Sequence, residues 1–155
     1  MPAHDTDEIL VAILLFVPGP PKAKGRPRMT RQGHAYTPKE TVEYENLVRL
    51  AWMQALQPRL PAGPIEAHIT AIYDVPKSWS KRKSADARAG LIAPTRHDCD
   101  NIAKAALDAL NGCAYGDDRE VARLLVEKRF AKTETEAAGV WITLSPANKE
   151  EDNEH

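Results

Sequence analysis

His97–Arg119, HDCDNIAKAALDALNGCAYGDDR, is the stretch on which the fold and the chemistry both turn. Cys99, Ile102, Ala103, Ala106, Leu107 and Leu110 recur at the three-and-four spacing of one buried helix face. The opposite stripe carries Asp100, Asn101, Lys104, Asp108 and Asn111. Asp98 is placed to cap this helix, and Gly112 to stop it in the left-handed conformation. Lys104 then lies one turn beyond Asp100 on the exposed side. If the chain folds back after Gly112, Asp117 and Asp118 join Asp98 and Asp100.

An aspartate near a helix start has a plain structural role, because it complements the dipole for about 0.3–1 kcal/mol. Four together are harder to explain, since clustered carboxylates repel one another unless a cation sits among them. An all-oxygen donor set suits a hard divalent ion, Mg²⁺ with Mn²⁺ as an alternative. A lysine beside such an ion points to phosphate chemistry, with the metal activating water and Lys104 holding the phosphate.

Working outward, the segment Pro20–Glu40 carries Lys22, Lys24, Arg26, Arg28 and Arg31 with no acid before Glu40. Its prolines and glycines predict an irregular arm. Such an arm is either a solvated basic loop or a set of phosphate contacts that release counterions from a nucleic-acid backbone. His34 and Tyr36 are placed to stack on a base or simply to lie exposed. Thr37-Pro38-Lys39-Glu40 predicts a helix start with Thr37 as the cap, running to about Gln57 with Val42, Leu47, Leu50, Ala51 and Leu56 inward. Ile9–Val17 reads as a first strand, Ile65–Val75 as a second, Glu120–Ala131 and Gly139–Leu144 as the last two. Pro76–Pro94 is a polar connection with a short helix from Ser78. It holds Lys77, Lys81, Arg82, Lys83 and Arg88 around Trp79, a second basic patch or a charged surface insertion. Lys128, on an apolar strand face, is either an edge residue with its head in water or a neighbour of an anionic site.

These elements make a mixed α/β single domain, with a mixed β-sheet of about four strands and two main helices, over residues 9–147. Residues 1–8 and 148–155 read as disordered ends, the second acidic. The 155 residues are enough for a real core. No apolar run approaches the roughly 20 residues that span a bilayer. Ile9–Val17 lacks the flanks of a signal peptide, so a cytoplasmic location without membrane contact is expected. Cys99 and Cys113 are too few for a disulfide framework and read as reduced thiols. The formal charge of −1 conceals a basic body, for residues 9–148 hold 20 Lys/Arg against 15 Asp/Glu, a net of +5.

Taken in order, PPKAKGRPR (20–28), Tyr36-Thr37-Pro38-Lys39, HDCDNIAKAALDALNG (97–112), GDDREV (116–121) and Lys128 make the chain resemble the RusA family of Holliday junction resolvases over about residues 16–130. The resemblance implies a RusA-like fold and a homodimer that cuts four-way junction DNA symmetrically. It implies Asp98, Asp100 and Asp118 as metal-binding catalytic carboxylates, Lys104 as the catalytic lysine, and Asn101 as the companion of the first two acids. Asp117 matches an acidic position of less defined role. His97 departs from the Arg, Lys or Pro expected before the first aspartate, and Lys77–Pro94 is longer than in the shortest members. Lys22, Lys24, Arg26, Arg28, Arg31, Asn101, Lys81, Arg82, Lys83 and Lys128 are the expected nucleic-acid contacts. Two other readings stand beside this one. The first is a non-catalytic nucleic-acid-binding protein with a structural metal site, and the second is a metal-dependent hydrolase of small phosphoesters.

Overall fold

The structure is a computed structural model, and residues 12–147 are described. The expected end segments 1–8 and 148–155, and the start of the first strand at Ile9, lie outside them. Strand β1 (Ile13–Pro18) opens the chain, and two-residue strands β2 (Arg28–Met29) and β3 (Ala35–Tyr36) form a small hairpin. Then follow α1 (Lys39–Ala55), β4 (Ile65–Tyr73), α2 (Lys81–Arg88), α3 (Cys99–Leu110), a single 3₁₀ turn at Asp118–Glu120, β5 (Val121–Phe130) and β6 (Gly139–Pro146). The main sheet has the order β1-β6-β4-β5. β4 and β5 run parallel, joined by the crossover that contains α2 and α3, and the other two pairings are antiparallel. The expected mixed α/β domain with a four-stranded mixed sheet is therefore present, and α2 is a third helix.

Alternation along the strands sets the layers. Ile13, Leu15 and Val17 of β1, Ile65, Ala67, Ile69 and Ala71 of β4, and Val140, Ile142 and Leu144 of β6 are buried. They pack beneath Tyr44 and Val48 of α1 and Ile102, Ala106 and Leu110 of α3. Four alanines of α3, Ala103, Ala105, Ala106 and Ala109, are buried with them, and their short side chains let the helix lie close to its neighbours. The other face of the sheet is partly open, with Phe16 against Trp141 at 4.7 Å between ring centroids. Along the outer edge, the Gln57 amide accepts from Leu14 N at 2.9 Å and donates to Leu14 O at 2.7 Å.

Three local expectations are corrected. The basic arm is not wholly irregular, because Thr30 and Gly33 close the hairpin turn through Thr30 N to His34 O and Gly33 N to Thr30 O. Pro38, not Thr37, caps α1, since its carbonyl accepts from Thr41 and Val42 and no side chain serves as cap. The inward face of α1 is Thr41, Tyr44 and Val48, flanked by Leu47, Ala51 and Trp52. Val42 and Leu50 are on the exposed side, and Leu56 lies beyond the helix in a left-handed conformation, 89% exposed. Thr41 is turned inward because its hydroxyl accepts from Gly25 N, where the arm comes so close that a Cβ would meet Thr41 Oγ1 at 2.7 Å.

Candidate active site

The site is built on α3 and the turns at its two ends. Asp98 takes the N-cap position in extended conformation, as its sequence position predicts. Its side chain makes no capping bond, contrary to the expected cap, so the carboxylate is not engaged by the backbone. Asp98 and Asp100 are exposed, and neither forms a side-chain hydrogen bond or ion pair among the described residues, nor does Lys104. The exposed stripe Asp100, Lys104 and Asp108 follows the i, i+4, i+8 spacing of a single face, while Ile102, Ala105, Ala106 and Ala109 anchor the other.

The turn that delivers Asp98 is braced from beneath. Lys128 Nζ donates to the His97 carbonyl at 2.8 Å, and Tyr73 donates its hydroxyl to the Arg96 carbonyl at 3.0 Å. The same hydroxyl lies 3.0 Å from His97 Nδ1. His97 adopts φ 67, a left-handed conformation unusual for a side chain with a Cβ and held here by those contacts. Burial, with Arg96, Lys22 and Lys128 close by, pushes its imidazole below the usual histidine range. Of the two readings of Lys128, the structure gives it a backbone partner one residue from Asp98.

At the far end, Gly112 takes φ 77 and the chain turns back, as its position predicts. Leu60 N donates to Ala114 O at 2.9 Å and Gly63 N to Glu120 Oε2 at 3.3 Å, so the returning loop is tied to the segment between α1 and β4. Tyr115 is fully buried, and its hydroxyl lies between the Leu107 carbonyl at 2.7 Å and the Asp118 carboxylate. Burial, and the neighbouring Asp108 and Asp117, raise the Asp118 carboxyl above the usual range, against the opposing effect of the Tyr115 bond. Asp117 goes the other way, held down by the Arg119 backbone N–H and guanidinium.

The expected meeting of both acidic pairs is thus only partly realised. The loop returns Asp118 to α3, but beside Asp108. Asp100 and Asp108 are separated by about 12 Å of helix axis at 1.5 Å per residue. Among the described residues no three His, Cys, Asp or Glu side chains converge as a metal cage.

The arm lies along the same helix. Lys24 N donates to Asn101 O at 2.9 Å, and Lys24 Nζ reaches Glu45 at 2.5 Å and Asp108 at 3.2 Å. Lys24, expected as a DNA contact, joins α1 to α3 and offsets the charge of Asp108. Lys22, Arg26 and Arg28 are exposed and line a cavity of about 350 Å³ with Arg96 and His97, next to Asp98. Arg96 was not among the expected contacts. Its signal was present all the same: a cation two residues before the first acid. Arg31 is exposed on the hairpin turn, along with His34 and Tyr36. Lys81, Arg82 and Lys83 are exposed on α2, with Lys83 Nζ 4.0 Å above the Trp79 ring.

The exposed stripe of α3 thus carries acids around a central lysine, with a cationic cavity lined by Lys22, Arg26, Arg28 and Arg96 next to its start. The chain matches the family model Endodeoxyribonuclease RusA over residues 18–144 and belongs to that family. A relative from Bacillus subtilis (strain 168), described as uncharacterized protein YqaN, is 35% identical over 126 residues, covering 77% of this chain and 89% of the relative.

Proposed function

We propose that the protein is a Mg²⁺-dependent, structure-selective endonuclease that resolves Holliday junctions in DNA recombination and repair. The observation that carries this reading is the pair of exposed carboxylates at the start of α3, without a side-chain partner among the described residues, beside a braced turn and a cavity lined by four cations, in a chain of an endodeoxyribonuclease family. The donor set fits Mg²⁺, which is commonly held by one or two carboxylates and completed by water and substrate phosphate rather than by a closed protein cage. Mn²⁺ would be accepted by the same oxygens. When bound, the ion supplies an activated water and offsets charge on the leaving oxygen.

Asp98 and Asp100 are the residues to hold it, with Asp117 and Asp118 as the second acidic pair, carried by the loop that returns to α3. Lys104, between the two ends, positions the scissile phosphate. Lys22, Arg26, Arg28, Arg31 and Arg96 guide the DNA backbone toward the acids, and Asn101 orients it. Contacts of this kind read shape and charge more than base sequence.

A homodimer suits the reading, because two sites related by a twofold axis match the two equivalent strands of a four-way junction. No helix among the described residues is long and apolar enough to cross a membrane. The test is incubation of a synthetic four-way junction with protein and Mg²⁺. Paired symmetric nicks are expected from the wild type and none from Asp100→Asn, which should still shift the junction on a gel. A shift without nicks from the wild type would favour the non-catalytic binding protein. Inhibition by free nucleotides rather than by junction DNA would favour the small-phosphoester hydrolase.

A further inference from the structure

A cavity of about 860 Å³ lies at the ends of the parallel strands β4 and β5, and none of Asp98, Asp100, Asp117 and Asp118 is in its lining. Asp74 follows β4, Glu134 lies in the loop after β5, and α2 forms the remaining wall with Lys81 and Arg88. Lys77 and Trp79 also line it. The end of the sheet is shared with the candidate active site, since Tyr73, the last residue of β4, touches the Arg96–His97 turn and Asp74 comes next in the chain.

Two properties of the cavity point to the same ligand. Its aromatic wall is Trp79: Phe130 meets the indole edge-on at 5.3 Å, and Lys83 Nζ lies over the ring, 4.0 Å from its centroid. An indole held in this way is a stacking platform for a flat ring that takes the place of the Lys83 ammonium. Its charge is cationic but not uniformly so. Lys77, Lys81 and Arg88 attract an anion, whereas Asp74 and Glu134 disfavour a bare one and can accept hydrogen bonds from the N–H groups of a base. Lys81, Arg82 and Lys83 also occupy the first turn of α2, where the helix dipole is unfavourable to cations and no acid of that turn relieves them. A bound phosphate would.

We propose that this cavity binds one unpaired nucleotide of a DNA strand, with the base against Trp79 and its phosphate among Lys77, Lys81 and Arg88. The naming of DNA as the polymer rests on the nuclease reading, but the binding does not require that cleavage occur. Duplex DNA cannot supply the ligand without unstacking a base, so the pocket selects strands already open, such as those at a branch point.

The test uses the full chain in EDTA, where no hydrolysis takes place, and a single-stranded hexanucleotide with 2-aminopurine at its centre. Wild-type protein should quench the 2-aminopurine emission as the base stacks. Trp79→Leu should abolish the quenching. Because that change also removes the contact with Phe130, the surface double variant Lys77→Ala/Lys81→Ala serves as the second arm. It should weaken hexanucleotide binding about tenfold or more and flatten its salt dependence. A hexanucleotide with an abasic centre should bind less tightly than the intact one. Equal quenching by wild type and Trp79→Leu, unchanged affinity of the double variant, or equal binding of the abasic strand would each overturn the proposal. Because no metal is present, each outcome is independent of whether Asp100→Asn stops junction cleavage.

Discussion

The two ends of α3 carry the same residue type in opposite physical states. At the N-terminus, Asp98 and Asp100 are exposed and have no side-chain partner among the described residues, next to a turn that Tyr73 and Lys128 hold in place. At the C-terminus, Asp108 is tied to Lys24, and Asp118 is half-buried against Tyr115 with its carboxyl raised by burial and by neighbouring charge. One end presents its carboxylates to solvent. The other spends its own on packing the returning loop. The difference lies in exposure and partners, not in residue type: the first pair faces solvent beside a braced turn, and the second is engaged by the fold.

If the open end carries the chemistry, Asp100→Asn should reduce junction nicking on the order of a thousandfold or more with little change in melting temperature, measured by gel assay and calorimetry. Equal loss from Asp108→Asn would erase the contrast between the ends. The support should matter next. Lys128→Met removes the donor to His97 O, and nicking should fall on the order of ten- to a hundredfold, with a higher Mg²⁺ requirement and retained folding. Unchanged Mg²⁺ dependence would show that the brace does not act through Asp98.

At the packed end the sign reverses. Asp118 has a raised carboxyl in the fold, so its contribution to stability is full below the ordinary carboxylate pKa and is lost as pH rises through the raised value. Asp118→Asn should therefore raise the melting temperature by about 2–4 °C at pH 7, and the gain should vanish near pH 4. A lower melting temperature at pH 7 would mean that the bond to Tyr115 outweighs the repulsion. The smallest effect belongs to Asp98→Ala. A bonded N-cap costs about 0.5–2 kcal/mol to remove, whereas Asp98 makes no such bond, so the melting temperature should stay within about 2 °C.

Much of this was legible in the residues. The 3.6-residue repeat from Cys99 to Leu110 gave α3 and its exposed stripe, and Gly112 marked its end. Alternation located β4, and the apolar run after Glu120 located β5. The inward face of α1 was misjudged because Val42, Leu50 and Leu56 are apolar yet exposed, while Thr41 is polar yet buried with a backbone donor from the arm. That pairing joins residues 16 apart and leaves no trace in local periodicity. The same holds for Lys24. Its charge resembles that of Arg26 and Arg28, and only the arm's path along α3 turns it inward to Glu45 and Asp108. The return of Asp118 was readable from Gly112, but its landing point was not. That point is fixed by the buried Tyr115 ring and by the ties of Leu60 and Gly63, which depend on tertiary packing.

The Gln57 amide on Leu14 bears on how copies of this chain can add to one another. It occupies both backbone groups of Leu14, and Pro18 at the other end of β1 has no N–H to offer. β5 has no strand on its outer side among the described residues, and Leu124 and Leu125 are exposed on it. Among the described residues, the β1 border is thus the less open to strand addition. Two molecules joined through their β5 borders would leave the obstructed β1 borders outermost, so growth would tend to terminate at a pair instead of running on into a filament.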